Sequence, residues 1–396
     1  MTRIGSDRKA EFFVNASKSG PLRGLRVVEL AGLAPAPFAC TVLADLGAEV
    51  VRVDRVVEGE DVLAMPKDPL LRGRRTIGVD TKTPEGVEVV LRLVEDADVF
   101  VEGFRPGVTE RMGLGPADVH ARNPRVVYGR ITGWGQDGPL AHTAGHDINY
   151  IGLSGALHPI GRHGERPVPP VNFLADFGGG GMYLAMGVLA ALFERQTSGR
   201  GQVVDASMVD GSALLTTHLF GLKASGLWEG ERGRNILDGG APFYDTYETA
   251  DGRYVAVGAI ETKFFAALVD VLELDPDTVP SRLDPQQWPR LREVLAEAIG
   301  KRTRDELVAR AEGTDACLTP VLSPWEAPKH PHNAARGTFV DIDGVAQPAP
   351  GPKFDRTPPE LPHPPHPRGS DTVEVLRELG YGDDELDALR AAGTIA

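Results

Sequence analysis

The chain contains only two cysteines, Cys40 and Cys317, in 396 residues. That scarcity excludes a disulfide framework and a cysteine-built zinc site, and it points to a reducing compartment. No segment reads as an unbroken apolar run of transmembrane length, about 20 residues, so no membrane span is expected. Met1 to Gly20 is mixed and charged, with Asp7 and Glu11, where a secretory signal needs an apolar core. The closing Gly393-Thr394-Ile395-Ala396 carries no peroxisomal address. On these grounds the chain reads as cytoplasmic. Positive charge is also in deficit: 42 Lys and Arg against 56 Asp and Glu give a formal net charge of -14, which disfavours nucleic acid or anionic membrane as a partner. Hydrophobic content of 41% is ordinary for a globular chain, and 396 residues exceed what one core usually organises, so two domains are expected.

A Gly-x-Gly-x-x-Gly turn is missing as well, although the first half has the strand-helix alternation that would carry one. Arg26–Leu30, Glu49–Asp54, Val99–Val101, Arg125–Arg130 and Gln202–Ala206 read as strands. Between them, a loop over Ala31–Pro37 leads into a helix over Phe38–Leu46, and Thr83-Pro84 opens another with a capping residue and a first-turn proline. This is the pattern of a Rossmann-like parallel sheet covered by helices, an α/β fold, with no basis for assigning a dinucleotide. Met182–Arg195 reads as a strongly apolar helix. Character changes near Gly226–Gly240, after which a hairpin through Asp251-Gly252 and helices around Phe264–Leu272 and Arg290–Ile299 suggest a smaller α+β domain. Pro348–Pro367 reads as an extended linker before two short closing helices. The expected domains are therefore 1–225, 226–335, and a C-terminal segment 336–396.

Two segments carry candidate chemistry. Gly145-His146-Asp147-Ile148-Asn149-Tyr150 follows the turn-rich Thr132-Gly133-Trp134-Gly135-Gln136-Asp137-Gly138-Pro139, and Asp176 stands in Leu174-Ala175-Asp176-Phe177-Gly178. A histidine and a carboxylate in such glycine-marked settings suit a pair of acid/base groups. An imidazole, with an unperturbed pKa of about 6.5, offers either protonation state near neutrality. A carboxylate becomes a better base when partly desolvated. Taken alone, a histidine beside a helix start is more often structural. Asp147 has a simple explanation as a helix N-cap. The run Gly178–Gly181 is a costly way to begin a helix and suggests close approach of a bulky ligand to the backbone.

Together these segments resemble the α-methylacyl-CoA racemases, a branch of the family III CoA-transferase superfamily, over nearly the whole chain from Pro21. The resemblance implies two-base epimerisation of a 2-methylacyl-CoA, His146 serving one stereoisomer and Asp176 the other. Asp147 supports the site, and Glu261, ending the run Val255–Ile260, orients the histidine. Backbone N–H groups near Asp147 and Ile148 would hold the enolate oxygen. In the transferase branch the residue matching Asp176 is instead a covalent nucleophile. That alternative stays open, although transferases generally carry an aromatic residue where this chain has His146. A short Asp238–Pro242 loop leans the same way. For CoA, itself part of the substrate, the resemblance nominates the Leu33-Ala34 loop, Arg55, Arg75 and Arg105. Arg72 joins them as part of Arg72-Gly73-Arg74-Arg75, the densest basic run in an acidic chain. It further implies a large domain built from both chain ends, a smaller middle domain, and an interlocked homodimer. No cofactor is required and no metal is expected, because His330 with His332 and His363 with His366 lack companion ligands. Cys317 reads as structural.

Overall fold

The computed structural model describes residues 19–56, 65, 67–228 and 230–396; the reading of the N-terminal segment lies, up to residue 18, outside them. Six strands form one sheet: β1 (Arg26–Leu30), β2 (Glu49–Asp54), β3 (Arg74–Gly78), β4 (Val99–Glu102), β5 (Val127–Thr132) and β6 (Val203–Ser207). Their order is β3-β2-β1-β4-β5-β6, and every neighbouring pair is parallel. Helices cover both faces of such a sheet, so its strands run nearly continuously apolar. Val27, Val50 and Val99 sit in register across the three central strands. The winding reverses between β1 and β4, and the crevice at the carboxyl ends of those strands is where α/β sheets hold ligands.

The helices relevant to the site are α1 (Pro35–Asp45), α2 (Pro84–Glu95), α3 (Val108–Met112), α4 (Pro116–Arg122), α5 (Asp147–Ser154), α6 (Met182–Ser198) and α7 (Met208–Leu215). α1 begins at Pro35, earlier than the expected Phe38. Prolines at 35 and 37 fit its first turn, where an N–H has no intrahelical partner to lose. α2 starts as expected, with Thr83 Oγ1 accepting from Gly86 N at 3.1 Å. β3 was not expected. Its charged sequence hid it, because Arg74 is fully buried and its charge is met inside the sheet by Glu29.

Ahead of α6 lies a π-helix, Phe173–Gly181. The two run on as one helix, Phe173–Ser198, of 26 residues, with an 18-residue window of mean hydropathy 1.3 that is 39% buried. By length and composition alone it is long and apolar enough to cross a membrane, a test that a core helix passes as well. Arg195 near its end is fastened to Asp98 at 2.8 Å. The glycines of the π-helix are also explained differently from the expectation. A Cβ on Gly179 would meet Ser212 N at 2.5 Å, one on Gly180 the Ala175 oxygen at 2.5 Å, and one on Gly181 Phe38 at 2.7 Å. They are small because the protein's own chain, not a ligand, comes close.

By contacts the chain forms two compact units. The first takes residues through Ser154, Val171–Leu214 and Arg336–Ala396. Its core joins Val51, Ile77 and Phe100 of the sheet and Val90 of α2 to Val375, Leu376 and Leu386 of the closing helices. Those helices, Thr372–Glu378 and Asp383–Ala391, are held to β3 where Asp371 accepts from Thr76 N at 2.8 Å. The Pro348–Pro367 stretch is not wholly linker, since Val345–Pro348 pairs with Phe339–Ile342 as a hairpin. The second unit takes Gly155–Pro170 and Leu215–Ala335, beginning earlier than Gly226 and including a segment not expected there. It holds the hairpin Tyr244–Glu248 with Tyr254–Gly258 and an unexpected third strand, Leu318–Pro320. Leu268, Leu291, Leu295 and Leu307 fill its core.

The crossing of the π-helix with α7 gives a direct test. A Cβ at Gly211 would lie 1.8 Å from the Gly179 carbonyl oxygen. Gly211→Ala is therefore expected to cost on the order of 1–3 kcal/mol, read as a lower denaturation midpoint, whereas Gly221→Ala, with open space around it, leaves the midpoint unchanged.

Candidate active site

Beyond the carboxyl end of β5 the chain turns through Gly133 to Pro139 and enters α5. Tyr150 fixes this passage. Its ring stands edge-on to Trp134, centroids 4.8 Å apart, and its hydroxyl donates to the Gly145 carbonyl. A Cβ at Gly133 would lie 2.1 Å from the Tyr150 ring, and one at Gly145 would lie 2.8 Å from it. Both glycines therefore make room for an aromatic clasp that was not foreseen from the sequence.

His146, exposed, occupies the position just before α5. Its backbone N–H donates to Asn149 Oδ1 at 3.0 Å, and its carbonyl accepts from Asn149 N at 2.7 Å. Asn149 thus closes the helix start and sets the histidine backbone, a role an asparagine three residues into a helix can signal. The N–H groups of Asp147 and Ile148 have no acceptor among the described residues. They point outward at the positive end of the helix dipole.

Asp147 is not the N-cap of α5, as expected, but its first helical residue. Its side chain turns instead to the π-helix. Oδ2 accepts from Ala175 N at 2.7 Å and Asp176 N at 2.9 Å, while Oδ1 is buried with no partner. Asp176 is half-buried, and Asn172 Nδ2 donates to its Oδ2 at 3.0 Å. Burial pushes the Asp176 carboxyl above its ordinary value; the Asn172 amide pulls it down, the Asp147 charge raises it further, and the His146 imidazole opposes that. Through the bonds of Asp147 to Ala175 N and Asp176 N, the start of α5 beside His146 is tied to the backbone of Asp176. Burial, with the Asp176 charge behind it, pushes the Tyr150 hydroxyl up to about 12, against the pull of Arg105.

The arginines divide into two kinds. Arg72 is 5% exposed and held inside the fold: it grips Asp45 at 2.9 and 2.5 Å, Gln347 at 2.7 Å and the Pro348 carbonyl at 2.9 Å. These bonds take most of the donors of its fork, which counts against a role for it at a phosphate. Arg75 is bound by Glu378 at 2.8 Å. Arg55, after β2, and Arg105, after β4, are exposed and form no ion pair with a described residue. Leu33, 69% exposed, and Ala34 stand at the carboxyl end of β1, ahead of α1. Leu33, Ala34 and Arg105 thus flank the reversal point of the sheet.

Glu261 belongs to the second unit, where it precedes the helix Thr262–Val271 and is exposed. Its charge, after burial, helps push up the Cys317 thiol. Cys317 itself is exposed with a positive φ of 48°, not packed away as a structural cysteine would be. The Asp238–Pro242 loop is pinned from within: the Asp238 carboxylate accepts from Gly233 N and Asn235 N, each at 2.8 Å. Among the described residues no group of three or more His, Cys, Asp or Glu is arranged to hold a metal.

The sheet is parallel, its winding reverses between β1 and β4, and the candidate residues His146 and Asp176 stand in segments that follow its strands, an architecture of α/β enzymes. The chain belongs to CoA-transferase family III, which it matches over residues 22–372. It is 50% identical to the α-methylacyl-CoA racemase of Mus musculus, over 92% of this chain and 95% of that protein. It is 45% identical to the α-methylacyl-CoA racemase of Homo sapiens, over 93% and 96% respectively. The crystal structure of a CAIB/BAIF family protein from Brucella suis superposes with a TM-score of 0.80 at 28% identity, covering 91% of this chain and all (100%) of that one.

Arg72 can be separated from the exposed arginines by stability. Removing one member of a buried ion pair costs about 3–5 kcal/mol, so Arg72→Met is expected to lower the denaturation midpoint strongly. Arg55→Met leaves it nearly unchanged.

Proposed function

We propose that this protein epimerises the α-carbon of 2-methylacyl-CoA thioesters by two-base proton transfer through an enolate. What supports the reading is that Asp147, the residue after His146, accepts from Ala175 N and Asp176 N at 2.7 and 2.9 Å, so that the two proposed bases share one neighbourhood beside the open N-terminus of α5. One base takes the α-proton, and the electron pair left on carbon moves to the thioester oxygen. The Asp147 and Ile148 N–H groups receive that developing charge. The other group, carrying its own proton, delivers it to the opposite face, and the thioester carbonyl re-forms. An Asp176 carboxyl raised by burial is a stronger base than a solvated aspartate, as removal of a weakly acidic C–H requires. Glu261 is retained as the residue that positions the imidazole, on the match of its sequence setting to the family. The proton transfers call for no cofactor. The relatives at 50% and 45% identity favour this reading over covalent CoA transfer through Asp176.

We assign the CoA phosphates and adenine to Leu33, Ala34, Arg55 and Arg105, with Arg75 in reserve behind Glu378. The enzyme works as a homodimer of interlocked chains. Met182, Met186 and Phe193 of α6 support this, being 48%, 55% and 81% exposed on a long apolar helix. Exposed apolar area of that kind marks an interface. Its compartment is the cytoplasm, in keeping with the free thiols of Cys40 and Cys317.

During turnover in deuterium oxide, label is expected to enter the α-carbon of a 2-methylacyl-CoA, followed by NMR or mass spectrometry. Full retention of the original proton would overturn the mechanism. His146→Ala and Asp176→Ala each abolish racemisation in a folded protein. Arg105→Gln is expected to raise KM on the order of tenfold to a hundredfold, as for loss of a hydrogen bond to a charged group, with kcat little changed.

A further inference from the structure

The buried oxygen of Asp147 is the feature that capping does not explain. Asp147 is 5% exposed, and its two carboxylate oxygens have been given different tasks. Oδ2 takes both N–H groups at the start of the π-helix, from Ala175 at 2.7 Å and from Asp176 at 2.9 Å. Oδ1, equally enclosed, meets no donor. A buried acceptor without a partner is costly. A neutral asparagine or serine would fasten the same two amides without burying a charge.

We propose that Asp147 is a positioning residue for Asp176, fastening the Asp176 backbone with one carboxylate oxygen while the bare other oxygen keeps a negative charge against the Asp176 side chain. The proposal rests on the racemase reading above and deepens it. The Asp147 carboxylate thus sits against the backbone of Asp176 and acts on its carboxyl as a nearby like charge. The effect on Asp176 is the one a base needs: a nearby like charge disfavours the ionised form and so strengthens its hold on a proton. Asn172, on the same π-helix, works in the opposite sense by donating to Asp176 Oδ2.

The other groups facing Asp176 leave Asp147 as the negative charge that acts on it. From α5 come His146, which lowers the Asp176 value, and Tyr150, whose own hydroxyl is pushed up. α1 meets the π-helix through Pro35, Phe38 and Ala39, and α7 through Met208, Gly211 and Ser212, none of them ionisable. Asp205 on β6 responds to Gln136, Arg130, Asp210 and Asp137 instead.

Asp147→Asn retains an oxygen for the two amides and removes the charge. In a proton-exchange assay on each stereoisomer of 2-methyldecanoyl-CoA, the rate served by Asp176 as base rises with pH through the Asp176 ionisation. Asp147→Asn is expected to move that acidic limb down by about one pH unit and leave the other stereoisomer's limb in place. Asn172→Ala moves the same limb up. An unchanged limb in folded Asp147→Asn would overturn the proposal. Asp147→Ser, with a hydroxyl for the amides, is the second variant, and loss of fold in both would reduce Asp147 to an anchor and overturn it too. Carboxyl carbon NMR of Asp176 in wild type and Asp147→Asn reads the same shift without turnover. If wild type exchanges no α-proton, the racemase reading fails, while this titration still decides the role of Asp147.

Discussion

Just after Asp176 the helix that carries it is tightly confined, and the proposed site depends on that confinement. Gly179 lies against the backbone of Gly211 and Ser212, and Gly181 against Pro35 and Phe38. No side chain fits at either crossing. The backbone therefore opens into a π-helix between α1 and α7, and such wide turns are common where a helix must present a functional group. Asp147 supplies the hydrogen bonds that the first amides of this segment would otherwise lack. Backbone contact on one side and a carboxylate on the other hold Asp176 in place. A residue that moves protons needs that restraint, because exchange requires the reacting atoms within about 3–3.5 Å.

Much of the sheet was legible because its strands are apolar runs between clear helix starts, as at Thr83-Pro84. β3 was not, since Arg74 and Arg75 read as solvated charge. Burial of an arginine depends on a partner brought from elsewhere in the chain, Glu29 for Arg74 and Asp45 for Arg72, and local pattern holds no trace of such pairing. The same reasoning explains the glycine run. Entropy argued correctly that Gly178–Gly181 must serve a close approach, but only the fold shows that the approaching atoms are Gly211 and Phe38. His146 and Asp176 were readable as types and settings. Asn149, Asn172 and Tyr150, which hold or tune them, were not, because each acts through a single hydrogen bond or ring contact.

An acidic protein that handles an anionic thioester ester needs its positive charge where it counts. Here most of the suspected basic cluster is internal. Arg52, Arg72 and Arg74 are 7%, 5% and 0% exposed and are matched to carboxylates inside the fold. Buried pairs of this kind contribute fixed geometry more than affinity. On the reading proposed above, Arg55 and Arg105, exposed after β2 and β4, are the ones left to meet phosphate.

The two proposed bases are unequal by construction. His146 is exposed, and only its backbone is fixed by Asn149, so its side chain can answer to solvent. Asp176 is half-buried and answers to the protein: burial and Asp147 strengthen its hold on a proton, and Asn172 and His146 weaken it. Each opposing influence is strongest in one state of the reaction. When His146 carries the proton, its charge eases ionisation of Asp176 and makes it ready to accept; when His146 has given the proton up, that help vanishes and Asp176 holds its own more tightly. The pair therefore favours one shared proton over two or none. An enzyme that must run equally well in both directions across one carbon needs that balance.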